Sequence, residues 1–279
     1  MWLKVTTWLV WAFCSLRSQD QAWALLGVTP QALIKSYKIV DLSHHFNNET
    51  IYWDDNGIYN LNVTVYNTTR AGWLQTDVVE DPIHGGTHFD APLHFNKDGW
   101  DVSQVPLEML LFVPVARVDV RHKVASDPAY LLTVDDILDW EKEHARLPDG
   151  CLFIAHTGQS KYWPNRTAYL GIQADGERRF PALTGDAASF LATQRSVNGV
   201  GLDTASVDAS GYDAHRAILN ANMFILENLV NLEKLPILGS YAVVLPLMLD
   251  GGSGSPVRVV AIVPRRKIYI YHSEDNHTN

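Results

Sequence analysis

The sequence predicts an α/β fold, a single compact domain with a mixed β-sheet and flanking helices. Three observations carry this prediction. Short apolar runs bounded by turn residues recur along the chain, and helical patterns lie between several of them. No internal repeat, low-complexity block or long Pro/Gly/Ser linker divides the chain. Strands alternating with helices, with hairpins near residues 50 to 70, favour a mixed sheet.

The runs read as strands cover 37–42, 61–66, 113–120, 151–156, 199–202, 224–226, 241–245 and 257–263. A helix is predicted over 134–144, because Thr133 is a capping residue and Asp135 and Asp136 fall in the first turn, where the helix dipole favours negative charge. Further helices are predicted over 184–193 and 213–221.

Composition narrows the function classes. The 279 residues are 47% hydrophobic and 19% charged, which suits a packed globular domain. A net charge of −9 with scattered basic residues excludes a phosphate-binding surface, and so a nucleic-acid partner. The short cluster Arg265-Arg266-Lys267 reads as a solvated strand end.

The N-terminus points to export. Met1 to Lys4 carries one positive charge, Val5 to Leu16 is apolar, and Arg17 to Gln21 is polar. That order predicts a signal peptide over 1–22, cleaved between 18 and 24, with the mature domain over 30–279. The apolar run is too short to span a bilayer, so no stable membrane anchor is expected. Five N-x-[ST] triplets, at Asn48, Asn62, Asn67, Asn165 and Asn276, predict a secreted glycoprotein. Cys14 lies in the predicted signal, and Cys151 opens an apolar run and reads as a buried hydrophobe.

The densest chemical signal is His84-Gly-Gly-Thr-His88-Phe-Asp90-Ala-Pro92-Leu-His94. Glycines and proline oppose a helix here. In an extended chain residues 84, 88, 90 and 94 would share one face. Imidazole and carboxylate are ligands for zinc, manganese or iron. Further on, Glu227 sits in an apolar run, where it is either a paired carboxylate or a ligand. His215, at a helix start, reads equally as a surface residue or as part of a site.

The His84 to His94 segment resembles the H-x-G-T-H-x-D-x-P-x-H signature of the cyclase family, which includes bacterial kynurenine formamidase and isatin hydrolase. The resemblance continues through Asp41-Leu-Ser, Thr157-Gly158 with Trp163-Pro164, Phe180-Pro181-Ala-Leu, and Val200-Gly-Leu-Asp203-Thr-Ala-Ser206-Val-Asp208. It ends with His215, Glu227-Asn-Leu and Gly252-Ser-Gly-Ser-Pro256-Val-Arg, covering roughly residues 38 to 263. It implies a swivelling β/β/α domain with a barrel-like core, assembled as a homodimer or homotetramer. It implies metal ligands at His84, His88, Asp90, His215 and Glu227, a general acid/base at His94, and one or two zinc or manganese ions. Five protein ligands exceed a single tetrahedral zinc, so a shared carboxylate or higher coordination is implied.

The implied activity is hydrolysis of a small amide, an aryl formamide or an isatin-like lactam, by metal-activated water. The alternative is a secreted, metal-containing binding glycoprotein without turnover. Where many relatives carry a Pro-Gly-Asp turn, this chain has Tyr52-Trp53-Asp54-Asp55. Tyr52, Trp53 and Trp73, with Trp100, are candidates for an aromatic substrate pocket.

Overall fold

The computed structural model describes residues 35–54, 57–70 and 72–265. The predicted signal peptide, Cys14 and Asn276 lie outside the described residues. Among these residues no helix is long and apolar enough to cross a membrane. Residues 40–262 form one compact unit, and the described residues 35–39 and 263–265 belong to a second, small one. In the small unit Arg265 donates to the carbonyls of Ser36 and Tyr37 at 2.8 and 2.9 Å.

The strands are β1 (Tyr37–Asp41), β2 (Leu61–Thr68), β3 (Gly72–Val79), β4 (His88–Asp90), β5 (Val113–Asp119), β6 (Leu131–Leu132), β7 (Cys151–His156), β8 (Ala182–Leu183), β9 (Val197–Leu202), β10 (Phe224–Glu227), β11 (Ser240–Pro246) and β12 (Gly254–Pro264). The helices are α1 (Arg121–Val124), α2 (Val134–His144), α3 (Arg166–Leu170), α4 (Gly185–Gln194) and α5 (Asp213–Leu219). The main sheet runs β1-β12-β11-β5-β7-β9-β10-β4, and β4 also pairs with β12, closing a seven-stranded mixed barrel. Strands β5, β7, β9 and β10 are parallel, while β4, β11 and β12 run antiparallel to their neighbours.

Every residue of β7, Cys-Leu-Phe-Ile-Ala-His, is buried. A parallel strand covered on both faces reads as a continuous apolar run, as this one does. On one side Ala116, Phe153, Val200 and Ile225 pack against Ile137 and Trp140 of α2, Leu191 of α4 and Ile218 of α5. Each such fully buried aliphatic side chain contributes on the order of 2 kcal/mol. Helix α2 starts where its capping box dictates: Asp136 N–H donates to Thr133 Oγ1, and Thr133 N–H donates back to the Asp136 carboxylate at 2.7 Å.

Two regions differ from the sequence reading. The exposed hairpin is longer and lies further along than predicted, with β2 and β3 paired from Leu61↔Val79 to Thr68↔Gly72. All sixteen of its strand residues are exposed. The predicted extended stretch over 84–94 is broken. Only His88–Asp90 is strand, Pro92–His94 is a 3-10 turn, and Gly86 has φ +57°.

Candidate metal centre

Strand β4 is the seam of the barrel, held on both edges. His88 pairs with Glu227 of β10 and Pro256 of β12, and Asp90 pairs with Ile225 and Gly254. Here the period of two holds. Phe89 turns to the opposite face, fully buried and stacked on Phe224 at 5.0 Å, so His88 and Asp90 point together. His84 and His94 reach the same place by turns instead. The His84 turn passes over Tyr52, whose ring lies where any Cβ at Gly85 would fall, at 2.2 Å. Gly86 in turn adopts a left-handed conformation that other residues avoid.

Asp90 is the hub. Its Oδ1 lies 2.7 Å from His84 Nδ1 and 3.2 Å from His88 Nε2, and its Oδ2 lies 3.6 Å from His215 Nε2. Glu227 places its carboxylate 3.4 Å from His88 Nε2 and 3.5 Å from His215 Nε2. The ligand-type atoms form two triads, His84–His88–Asp90 and Asp90–His94–His215, sharing Asp90. Glu227 borders both without belonging to either, and His94 stands in the second triad, stacked on His84 at 4.0 Å.

The electrostatics describe a place that calls for positive charge. Burial alone would lower His88, but Asp90 and Glu227 outweigh it and hold it at about 9. His215 is likewise held at about 10, where burial is overcome by Asp208, Asp90 and Glu227. Burial, then Asp90, pushes Glu227 up to about 7 against His88 and His215. Asp90 itself lies well below the usual range, its burial outweighed by the surrounding imidazoles. Burial sets His94 at about 4, with Asp90 opposing and the other histidines adding.

A divalent cation fits this donor set. Asp90 Oδ2 is buried with no hydrogen-bond partner among the described residues, a costly state for a carboxylate oxygen. Imidazole nitrogens and carboxylate oxygens converge on it, the mixture that transition-metal ions prefer.

Supporting residues that sequence reasoning gave no role complete the frame. Asp208 accepts from His215 Nδ1 at 2.7 Å and from the N–H groups of Ala214 and His215 at 2.9 and 3.0 Å, fixing ring and helix start together. Asn228, at φ +57°, donates to Gly86 O at 2.7 Å, the carbonyl that also faces His88 Nδ1 at 3.0 Å. Tyr169 donates to Asn228 Oδ1 at 2.9 Å. Ser253 lies 3.0 Å from His84 Nε2. Asp208 and Asn228 both fall inside segments that carry the family resemblance, which was the available signal.

The centre opens into a cavity of about 760 Å³ whose lining includes Tyr52, Trp53, Phe95 and Tyr212. Tyr52 contributes only its ring, since its hydroxyl donates to Asp81 at 2.5 Å and the side chain is buried. Trp73 corrects the predicted aromatic pocket. It stands on the β2–β3 ribbon, 70% exposed, and neither it nor Trp100 lines this cavity.

The Cyclase family model matches residues 40–209. An isatin hydrolase from Roseibium aggregatum is 35% identical over 192 residues, covering 65% of this chain and 72% of that protein. A kynurenine formamidase from Bacillus cereus is 28% identical over 231 residues, covering 81% of this chain and 98% of its own. Among solved structures, an isatin hydrolase bound to the product analogue thioisatinate superposes with a TM-score of 0.79. It is 27% identical, and the match covers 89% of this chain and all of that one. The chain therefore belongs to the cyclase family.

Proposed function

We propose that this protein is a metal-dependent amidohydrolase whose substrate is an aryl formamide or a cyclic amide of the isatin type. The observation that carries the reading is Asp90, buried, shared by two triads and with one oxygen that accepts no hydrogen bond among the described residues. The names of the similar proteins, isatin hydrolase and kynurenine formamidase, supply the class of bond.

His84, His88, Asp90, His215 and Glu227 would hold the ion. When bound, it supplies Lewis acidity, lowering the pKa of water and polarising the amide carbonyl. Asp208 fixes the His215 ring, and Asn228 with Gly86 O fixes His88, so both imidazoles present Nε2 to the centre. His94 borders the cavity, and one of its ring nitrogens takes the proton from water and returns it to the leaving nitrogen. Water and amide thus become carboxylic acid and amine.

Zinc and manganese are the ions this donor set suits, and the sharing of Asp90 between triads supports one or two per subunit. His94→Ala tests the assignment. Loss of isatin or N-formylkynurenine turnover with metal retained supports it, whereas unchanged turnover contradicts it.

The reading extends to export and assembly. Asn48, Asn62, Asn67 and Asn165 are all exposed, which supports glycosylation of a secreted chain. A mass decrease on glycosidase treatment of the secreted protein tests it. In antiparallel pairing opposite residues share a face. Leu61, Val63, Val65 and Val79 therefore form the apolar end of a ribbon face that continues through Asp77 and Gln75 to Asn67, and a second copy would cover that end, clear of the Asn67 glycan, in a homodimer or homotetramer. Sedimentation analysis tests that state.

A further inference from the structure

Trp53 forms part of the cavity lining, and it is held from behind. Its ring packs edge-on to Phe180 at 6.1 Å and carries the Arg178 guanidinium over its face at 4.1 Å. Its backbone carbonyl accepts from Arg178 Nη2 at 2.8 Å and from Arg166 Nη2 at 3.1 Å. Among the described residues no carboxylate pairs with Arg178, and its hydrogen bond and ring contact both go to Trp53.

The support behind Arg178 is itself fixed. The residue closes a short hairpin, paired with Ile172 and backed by the bond from Gln173 N to Glu177 O at 2.8 Å. Ile172 packs against the buried cluster of Ile51, Tyr169, Leu170 and Ala205. Trp53 nevertheless remains 38% exposed and borders the cavity. A tryptophan gripped at its backbone carbonyl and at its ring face, yet bordering a cavity, has the properties of a binding wall. A flat indole ordered in advance offers stacking area without the entropic cost of ordering it on binding.

We propose that Arg178 is a positioning residue that fixes Trp53 as a rigid aromatic platform, so that the site selects amides carrying a planar aromatic ring over aliphatic ones. This rests on the amidohydrolase reading and adds to it the basis of substrate choice. Arg178 acts through Trp53 and touches no reacting atom.

The test compares formanilide, a planar aryl amide, with N-formylalanine, an aliphatic one, on the metal-loaded protein. Variants are Arg178→Gln, Arg178→Lys, Trp53→Ala and the Arg178→Gln/Trp53→Ala pair, each checked for metal content. Arg178→Gln is expected to raise KM for formanilide about tenfold with kcat within about twofold, and to lower the formanilide/N-formylalanine ratio of kcat/KM about tenfold. Arg178→Lys should recover part of that ratio, and adding Arg178→Gln to Trp53→Ala should change it no further.

Equal losses on both substrates with metal retained, an unchanged KM, or additive effects in the double variant would overturn the proposal. If neither amide is turned over, the amidohydrolase reading fails for these substrates while the platform is judged by calorimetric binding of formanilide. Weaker binding in Arg178→Gln supports it, and equal binding, or none to the wild type, overturns it.

Discussion

The barrel seam and the β2–β3 ribbon are both short antiparallel pairings, and they have opposite fates. All three residues of β4 are buried between β10 and β12, while all sixteen strand residues of the ribbon are exposed. The seam is fixed from two edges, so its side chains are held in place well enough to gather three imidazoles and two carboxylates. The ribbon has only its own partner strand, and an isolated two-stranded hairpin is marginal in water. Chemistry sits where the backbone is fixed on both sides, and apolar side chains on the free ribbon are left to find cover elsewhere.

The largest effect that sharpens this contrast comes from the seam. Asp90→Ala removes the group shared by both triads, and it should abolish stoichiometric metal and lower amide turnover by at least about 10²–10³-fold. Metal analysis beside steady-state kinetics reads both, and an Asp90→Ala protein that keeps its metal and rate would break the contrast. Next is the support behind the seam. Asp208→Asn weakens the orienting bond to His215, so metal affinity should fall about 10–100-fold in competition with a chelator.

A stability effect follows in the helical layer. Burial pushes the Asp136 carboxyl up, but Lys123, the Thr133 N–H and Tyr130 outweigh it and hold its pKa below the ordinary value. A carboxylate with a depressed folded-state pKa stabilises above its unfolded value, about 4, and that contribution is lost as pH falls through the folded value. Asp136→Asn should therefore cost about 2–3 kcal/mol at pH 7. Denaturant curves of the two proteins should draw together as pH drops below about 4. A gap that stays constant would contradict the assignment.

The smallest effect is on the ribbon. Val63→Lys with Val65→Lys should change unfolding stability at low protein concentration by less than about 0.5 kcal/mol. It should shift sedimentation toward monomer, whereas a large loss of stability in the monomer would show that the ribbon is part of the core after all.

Much of the fold was legible because local signals agreed with it. Helix α2 has the bounds its Thr133 cap and acidic first turn predict, and β7 matches its apolar run. Strand β3 was missed because Trp73-Leu74 and Val78-Val79 flank three polar residues, so no single face alternates. It is stabilised by pairing with β2, which composition alone does not reveal. At the site, residue types were legible but their geometry was only partly so. His88 and Asp90 align by strand period, whereas His84 and His94 arrive by the Gly86 turn and the Pro92 turn. The role of Asn228 depends on a contact to Gly86 from a distant segment, and that of Asp208 on a turn that brings it back to His215, and no apolar periodicity encodes either.

The central claim is that the Asp90 cluster is a catalytic metal centre. The most direct measurement is metal content of the purified protein together with hydrolysis of isatin and N-formylkynurenine, before and after chelation. Bound zinc or manganese at one or two ions per chain, with turnover that chelation abolishes and metal restores, is the predicted result. Absence of stoichiometric metal even after reconstitution, or turnover indifferent to the chelator, would contradict it.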